Sequence, residues 1–192
     1  MTELKRILKK IRKIKDPLKR NLIFIGALTK AVGEKKVKPV VVGGFALEFY
    51  STGGYATGDI DIIYHDSDKI GKILIECGFE KKGRYWVSQS DNLFIEIPGD
   101  FLKPEEYDKI TVAEIEGYKV NLISVEDLIV DRLNAFVHWK STDDGYWLKE
   151  LLFIYSDKID NDYLKKRCIE GKTDKALIKM MRQIRKLRNE KS

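Results

Sequence analysis

The chain has 192 residues, 43% hydrophobic and 34% charged, with a formal net charge of +6. That balance describes a globular chain with room for a sizeable core and excludes a disordered one. The longest apolar run, Leu22 to Leu28, is too short to cross a bilayer, and the two cysteines, Cys77 and Cys168, form no disulfide framework or zinc spacing.

The charge excess sits at the two ends. Lys5, Arg6, Lys9, Lys10, Arg12, Lys13, Lys15, Lys19 and Arg20 open the chain, and Lys179, Arg182, Arg185, Lys186, Arg188 and Lys191 close it. Such ends suit a polyanion such as RNA, and they equally suit the solvated faces of amphipathic helices. Leu4, Ile7, Leu8, Ile11 and Ile14 recur at helical spacing, with Thr2 as N-cap. Asp16-Pro17 starts a second helix carrying Leu18, Leu22, Ile25, Leu28 and Val32, which stops near Gly33. A basic amphipathic helix can also lie on a membrane surface, but nothing else in the sequence points to lipid. Packing on the domain is the expectation, with residues 1–35 as basic N-terminal helices. No signal-peptide segment is read at the N-terminus, and the reduced thiols expected of Cys77 and Cys168 place the chain in the cytoplasm. The Lys- and Glu-rich, Gln-poor composition is a weak thermophile signal.

Val40-Val41-Val42 reads as a strand buried on both faces. Gly43-Gly44 follows as a sharp turn, and Phe45 to Tyr50 as a short helix. The N–H groups at such a helix start bind phosphate, aided by the helix dipole. Ser51 to Gly58 is a Gly- and Thr-rich loop, and Asp59 to Tyr64 a second strand. In that strand Asp59 and Asp61 share one face while Ile60 and Ile62 share the other. Two carboxylates at i and i+2, about 6–7 Å apart at the backbone, can bracket a pair of metal ions. Without a cation they repel, and one tends to stay protonated.

Ser67 opens a helix with Ile70, Ile73, Leu74 and Cys77, ended by Gly78. Phe79 to Ser88 and Leu93 to Ile97 read as strands around a Ser90-Asp91-Asn92 turn. Glu96 lies inside the apolar run Leu93 to Ile97, and a buried carboxylate needs a partner or a metal. Asp91, Asp100 and Glu114 compete with it for a third acidic position. Thr111 to Ile115 and Tyr118 to Ile123 form a hairpin around Glu116-Gly117. From Ser124 the pattern is helical. Ser124 to Asp127 resembles a capping box, Asp143-Asp144 precedes a helix with Trp147, Leu148, Leu151 and Leu152, and two more helices follow. His65 and His138 lack a partner at metal spacing and read as structural. Tyr146, Trp147, Phe153 and Tyr155 read as core aromatics.

Gly43-Gly44, then Asp59-Ile60-Asp61, then a later acid at Glu96, resemble the DNA polymerase beta-like nucleotidyltransferase superfamily. The nearer resemblance is to its small prokaryotic members, including abortive-infection-type toxins. These often carry Arg-x-Thr-x-Asp-x-Asp. Here Thr57, Asp59 and Asp61 match, while Tyr55 stands where the Arg is usual. Glu126 to Leu133 resembles a relatives' segment Asp-Leu-Ile-x-x-Lys-Leu, with Arg132 in place of the Lys, and Asp143-Asp144 falls where relatives carry Arg-Asp.

The resemblance implies an α+β fold: a nucleotidyltransferase-like mixed sheet over residues 36–123, flanked by helices, and a helical region over 124–192 packed on it. It implies transfer of a nucleoside monophosphate from a nucleoside triphosphate such as ATP to an acceptor hydroxyl. Asp59, Asp61 and Glu96 would hold Mg²⁺ (or Mn²⁺), Gly43, Gly44 and Thr57 would adjoin the triphosphate, and Arg132 would pair with phosphate charge. RNA, a transfer RNA included, is the acceptor the basic ends favour. A toxin role would bring an antitoxin partner. The competing expectation is a non-catalytic nucleotide- or RNA-binding module on the same fold.

Overall fold

The computed structural model describes residues 2–33, 37–98 and 101–190. The Asp100 candidate, Lys191 and the 35/36 boundary lie outside these residues. The chain divides into two compact units, residues 1–123 and 124–192.

The first unit opens with α1 (Glu3–Ile11) and α2 (Pro17–Val32). Thr2 caps α1 by accepting from Lys5 N–H, and Asp16 caps α2 with Pro17 in the first turn, as the sequence indicated. Leu4, Ile7, Leu8 and Ile11 are all buried, and α1 packs against α2. In turn α2 lies on the sheet, where a side chain at Gly26 would collide with Tyr118. The basic residues Lys9, Lys10 and Lys13 remain on the exposed side.

Among the described residues, seven strands form one mixed sheet: β1 (Val40–Val42), β2 (Ile60–Ile63), β3 (Glu80–Lys82), β4 (Tyr85–Ser88), β5 (Leu93–Glu96), β6 (Thr111–Ile115) and β7 (Tyr118–Leu122). Their spatial order is β3-β4-β5-β2-β1-β7-β6. Strand β1 runs antiparallel to β2 and parallel to β7, while β2 runs parallel to β5. The central strands are the most apolar, and Val40, Val41, Ile62, Ile95, Val120 and Leu122 are fully covered. Between β1 and β2 stands α3 (Gly43–Tyr50), and after β2 comes α4 (Ser67–Glu76), which Asp66 caps. Phe24 of α2 stacks on Phe79 with ring centroids 5.7 Å apart.

Several boundaries differ from the sequence reading. The stretch Phe79 to Ser88 is two strands, not one. It reverses at Gly83-Arg84, a two-residue hairpin loop with Gly83 at φ +58. Helix α3 begins at Gly43 itself, and β2 begins at Ile60, leaving Asp59 at the end of the loop. A five-residue helix, α5 (Pro104–Asp108), was not foreseen. It carries no buried residue, so it offers no apolar periodicity to read.

The second unit is helical: α6 (Val125–His138), α7 (Thr142–Tyr155), α8 (Asn161–Glu170) and α9 (Asp174–Glu190). Helix α6 packs on the other three. Ser124 caps α6, accepting from Asp127 N–H at 3.0 Å. Asp127 is buried and accepts from Arg167 at 2.8 Å and from the Tyr163 hydroxyl at 2.9 Å. Ser141 rather than an aspartate caps α7, so Asp143 and Asp144 sit inside its first turn. Of the aromatics on α7, Tyr146 is exposed and Trp147, Phe153 and Tyr155 are half-buried, so none is a core residue.

Candidate active site

The site forms where β1 and β5 end and β2 begins, side by side. Val42 pairs with Asp61 across β1 and β2, and Asp61 pairs with Glu96 across β2 and β5. The chain leaving β1 therefore passes directly over Asp61. At that point stands Gly43 at φ +62, where any Cβ would run into the Asp61 carboxylate. A Cβ on Gly44 would come within 3.0 Å of the Thr57 hydroxyl. Gly43 is thus required by close approach of backbone to the acidic strand as well as by the turn, while Gly44 packs tightly against Thr57 of the loop.

Helix α3 starts without a side-chain cap. Its first-turn N–H groups are left for other acceptors, and Gly44 N–H donates to Asp61. Thr57 anchors the loop at both ends of its residue: its hydroxyl donates to Asp59 Oδ1 at 2.8 Å, and its N–H donates to Glu48 Oε2 at 3.3 Å. Glu48 is itself buried on α3, and that burial raises its pKa. The loop carrying Asp59 is thereby tied to the helix that opens at the glycine pair.

Carboxylate oxygens of Asp59, Asp61 and Glu96 all lie within 4.8 Å of one another, each residue half-buried. Burial, then the neighbouring charges of Asp59 and Glu96, push the Asp61 pKa up to about 6. Three oxygen donors at that spacing match a hard divalent cation such as Mg²⁺ or Mn²⁺, whose charge would relieve the crowding that raises the Asp61 pKa.

The rivals for the third acid are placed elsewhere. Asp91 is buried and committed to Arg12 at 2.6 Å and to the hydroxyls of Ser88 and Ser90. Burial raises its pKa, but these donors outweigh it and hold the carboxyl below its ordinary value. Glu114 is exposed on β6, opposite Lys119. Arg132 lies on α6 in the second unit, ion-paired with Asp144 at 2.7 Å and Asp131 at 2.9 Å. His65 lies against Tyr64, and His138 contacts Gly171 O.

One residue at the cluster was missed from the sequence. Arg84, at the β3–β4 hairpin tip, ion-pairs through Nε with Glu96 Oε2 at 3.2 Å. Its guanidinium lies over the Tyr85 ring, 4.8 Å from the centroid, and donates to the Tyr85 hydroxyl. Reading Phe79 to Ser88 as one strand hid the turn that aims it.

A mixed seven-stranded sheet with flanking helices and this acidic edge has the architecture of a nucleotidyltransferase-like protein. The structure is similar to the crystal structure of an antigenic nucleotidyltransferase-like protein from Paracoccidioides brasiliensis, with a TM-score of 0.54 and 16% identity over 88% of this chain and 93% of that one. At that identity the likeness concerns the fold. Residues 20–191 match the family described as "Nucleotidyltransferase of unknown function (DUF6036)", and the chain belongs to it. No curated protein matches the sequence. No helix among the described residues is long and apolar enough to cross a membrane.

Proposed function

We propose that this chain is a metal-dependent nucleotidyltransferase of the DNA polymerase beta-like type, moving a nucleoside monophosphate from a nucleoside triphosphate to an acceptor hydroxyl. The observation that carries the reading is the Asp59, Asp61 and Glu96 cluster placed beside the Gly43-Gly44 start of α3. These three acids are the residues that would hold Mg²⁺ or Mn²⁺. When bound, such ions supply Lewis acidity at the attacking and leaving oxygens.

The remaining work falls to the chain itself. First-turn N–H groups of α3 other than that of Gly44, which is taken by Asp61, face the phosphates, with the positive end of the helix dipole behind them. The acceptor oxygen forms a bond to the α-phosphorus, and the bond from that phosphorus to the bridging oxygen breaks. Pyrophosphate leaves with the electron pair. The hydroxyl proton passes to a carboxylate of the cluster, from which it is lost to solvent. Thr57 fixes the Asp59 carboxylate throughout by its hydroxyl hydrogen bond.

RNA is the acceptor class we favour. The exposed Lys9, Lys10 and Lys13 at one end, and Lys179, Arg182, Arg185 and Lys186 on α9, supply counter-charge for a polyanion. A toxin role with an antitoxin partner is compatible with that chemistry. It predicts growth arrest on expression that a neighbouring gene product relieves, and harmless high-level expression would count against it.

The test is Mg²⁺-dependent transfer of labelled nucleotides to total cellular RNA and protein, with wild type beside Asp59→Ala/Asp61→Ala. Label in the RNA fraction with wild type only is the expected result. Nucleotide binding without transfer of any of the four nucleotides would support a binding module instead.

A further inference from the structure

We propose that Arg84 is a shuttling cation: it neutralises the acidic cluster before metal binds, and contacts the triphosphate once metal has displaced it. The proposal rests on the metal-and-nucleotide reading above.

The geometry is specific. Glu96 pairs in register with Asp61 on one side and with Tyr85 on the other. Arg84 immediately precedes Tyr85, so the hairpin tip projects beside the acidic edge of the sheet. Through Nε it reaches Glu96, and its charge also acts on Asp59 and Asp61. Three carboxylates in one cluster need positive charge, and Arg84 is what the described residues supply there.

Yet Arg84 is not built in as a fixed partner. Its side chain is 66% exposed, while that of Glu96 is 18% exposed. A solvent-facing guanidinium on one hairpin tip is held weakly, and a divalent cation on the same oxygen outcompetes it. Once released from Glu96, the group needs only a side-chain rotation at the hairpin tip to meet an anion at the same edge. A guanidinium suits phosphate oxygens through paired N–H donors.

The experiment compares wild type, Arg84→Ala, Arg84→Lys and Lys82→Ala. Lys82 is a neighbouring hairpin cation that pairs with Glu80 instead of the cluster. Two affinities are measured: for Mn²⁺ alone, by electron paramagnetic resonance, and for inorganic tripolyphosphate at saturating Mg²⁺, by calorimetry. Tripolyphosphate is used because it carries no base.

For Arg84→Ala, Mn²⁺ binding should tighten several-fold, while tripolyphosphate binding weakens roughly tenfold, the worth of one charge-assisted hydrogen bond. Arg84→Lys should restore part of both, and Lys82→Ala should leave both near wild type. Weaker Mn²⁺ binding in Arg84→Ala would make the arginine a support for Glu96 and overturn the shuttle. Unchanged affinities, or equal changes in Lys82→Ala, would overturn it too. If wild type itself binds neither probe, the nucleotidyltransferase reading fails first, a result distinct from any of these.

Discussion

Asp61 and Glu96 are in-register neighbours on two parallel strands, β2 and β5. A sheet pairing, rather than a local motif, therefore brings the second and third acids together. The hairpin β3–β4 and helix α4 lie between them in the chain, and the site is complete only when that whole segment has folded.

This juxtaposition has a cost that depends on pH. The folded-state pKa of Asp61 is about 6, above its ordinary value of 3.8, so the native chain holds a proton that the unfolded chain has lost. Between those values stability falls as pH rises, and above about 6 it levels off. With solvent screening discounted, the loss is of order 1 kcal/mol. Thermal melts from pH 4 to 7 in a chelator should show this decline in wild type and a flatter profile in Asp61→Asn.

Added metal should reverse that cost. Mg²⁺ or Mn²⁺ at about 100 times its dissociation constant should add about 2.7 kcal/mol to wild type at pH 7.5. The same addition should leave Asp59→Ala/Asp61→Ala unmoved. Denaturant melts with and without metal read the difference, and an equal gain in both proteins would place the metal elsewhere.

Gly43→Ala should be damaging although it adds a single methyl group. The residue sits at φ +62 with its missing Cβ aimed at Asp61. The expected cost is about 1–3 kcal/mol, together with loss of transfer. A urea titration paired with the labelling assay separates the two effects.

The helical unit offers a prediction unconnected with catalysis. Arg167 and Asp127 are ion-paired with side chains 8% and 2% exposed. Arg167→Ala removes the guanidinium that balances the buried Asp127 carboxylate and should cost about 3–5 kcal/mol. Tyr163→Phe removes one hydroxyl from the same group and should cost about 1 kcal/mol. Circular dichroism melts of the full chain check both.

How much could be read beforehand depended on how local each signal was. Caps such as Thr2, Asp16 and Ser124 act within one helical turn, so their sequence positions sufficed. The hairpin at Glu116-Gly117 was legible for the same reason, with both residues at positive φ. Asp59 and Asp61 stood out because strand alternation places i and i+2 together. Glu96 was legible as an acid in an apolar run, but its place beside Asp61 is a matter of strand order, which the sequence left open. Arg84 was not legible at all. The segment around it, with Tyr85, Trp86 and Val87, favours extended structure throughout, and a single glycine was too slight a mark of the reversal.

Strand β3 bears a consequence for the life of the molecule in a crowded solution. It is the outermost strand of the sheet, only three residues long, and Glu80, Lys81 and Lys82 are all exposed. An open strand margin invites another chain to add to it, and three consecutive charges on a short margin discourage that. The hairpin beside the acidic site thus also guards that edge of the sheet against strand addition.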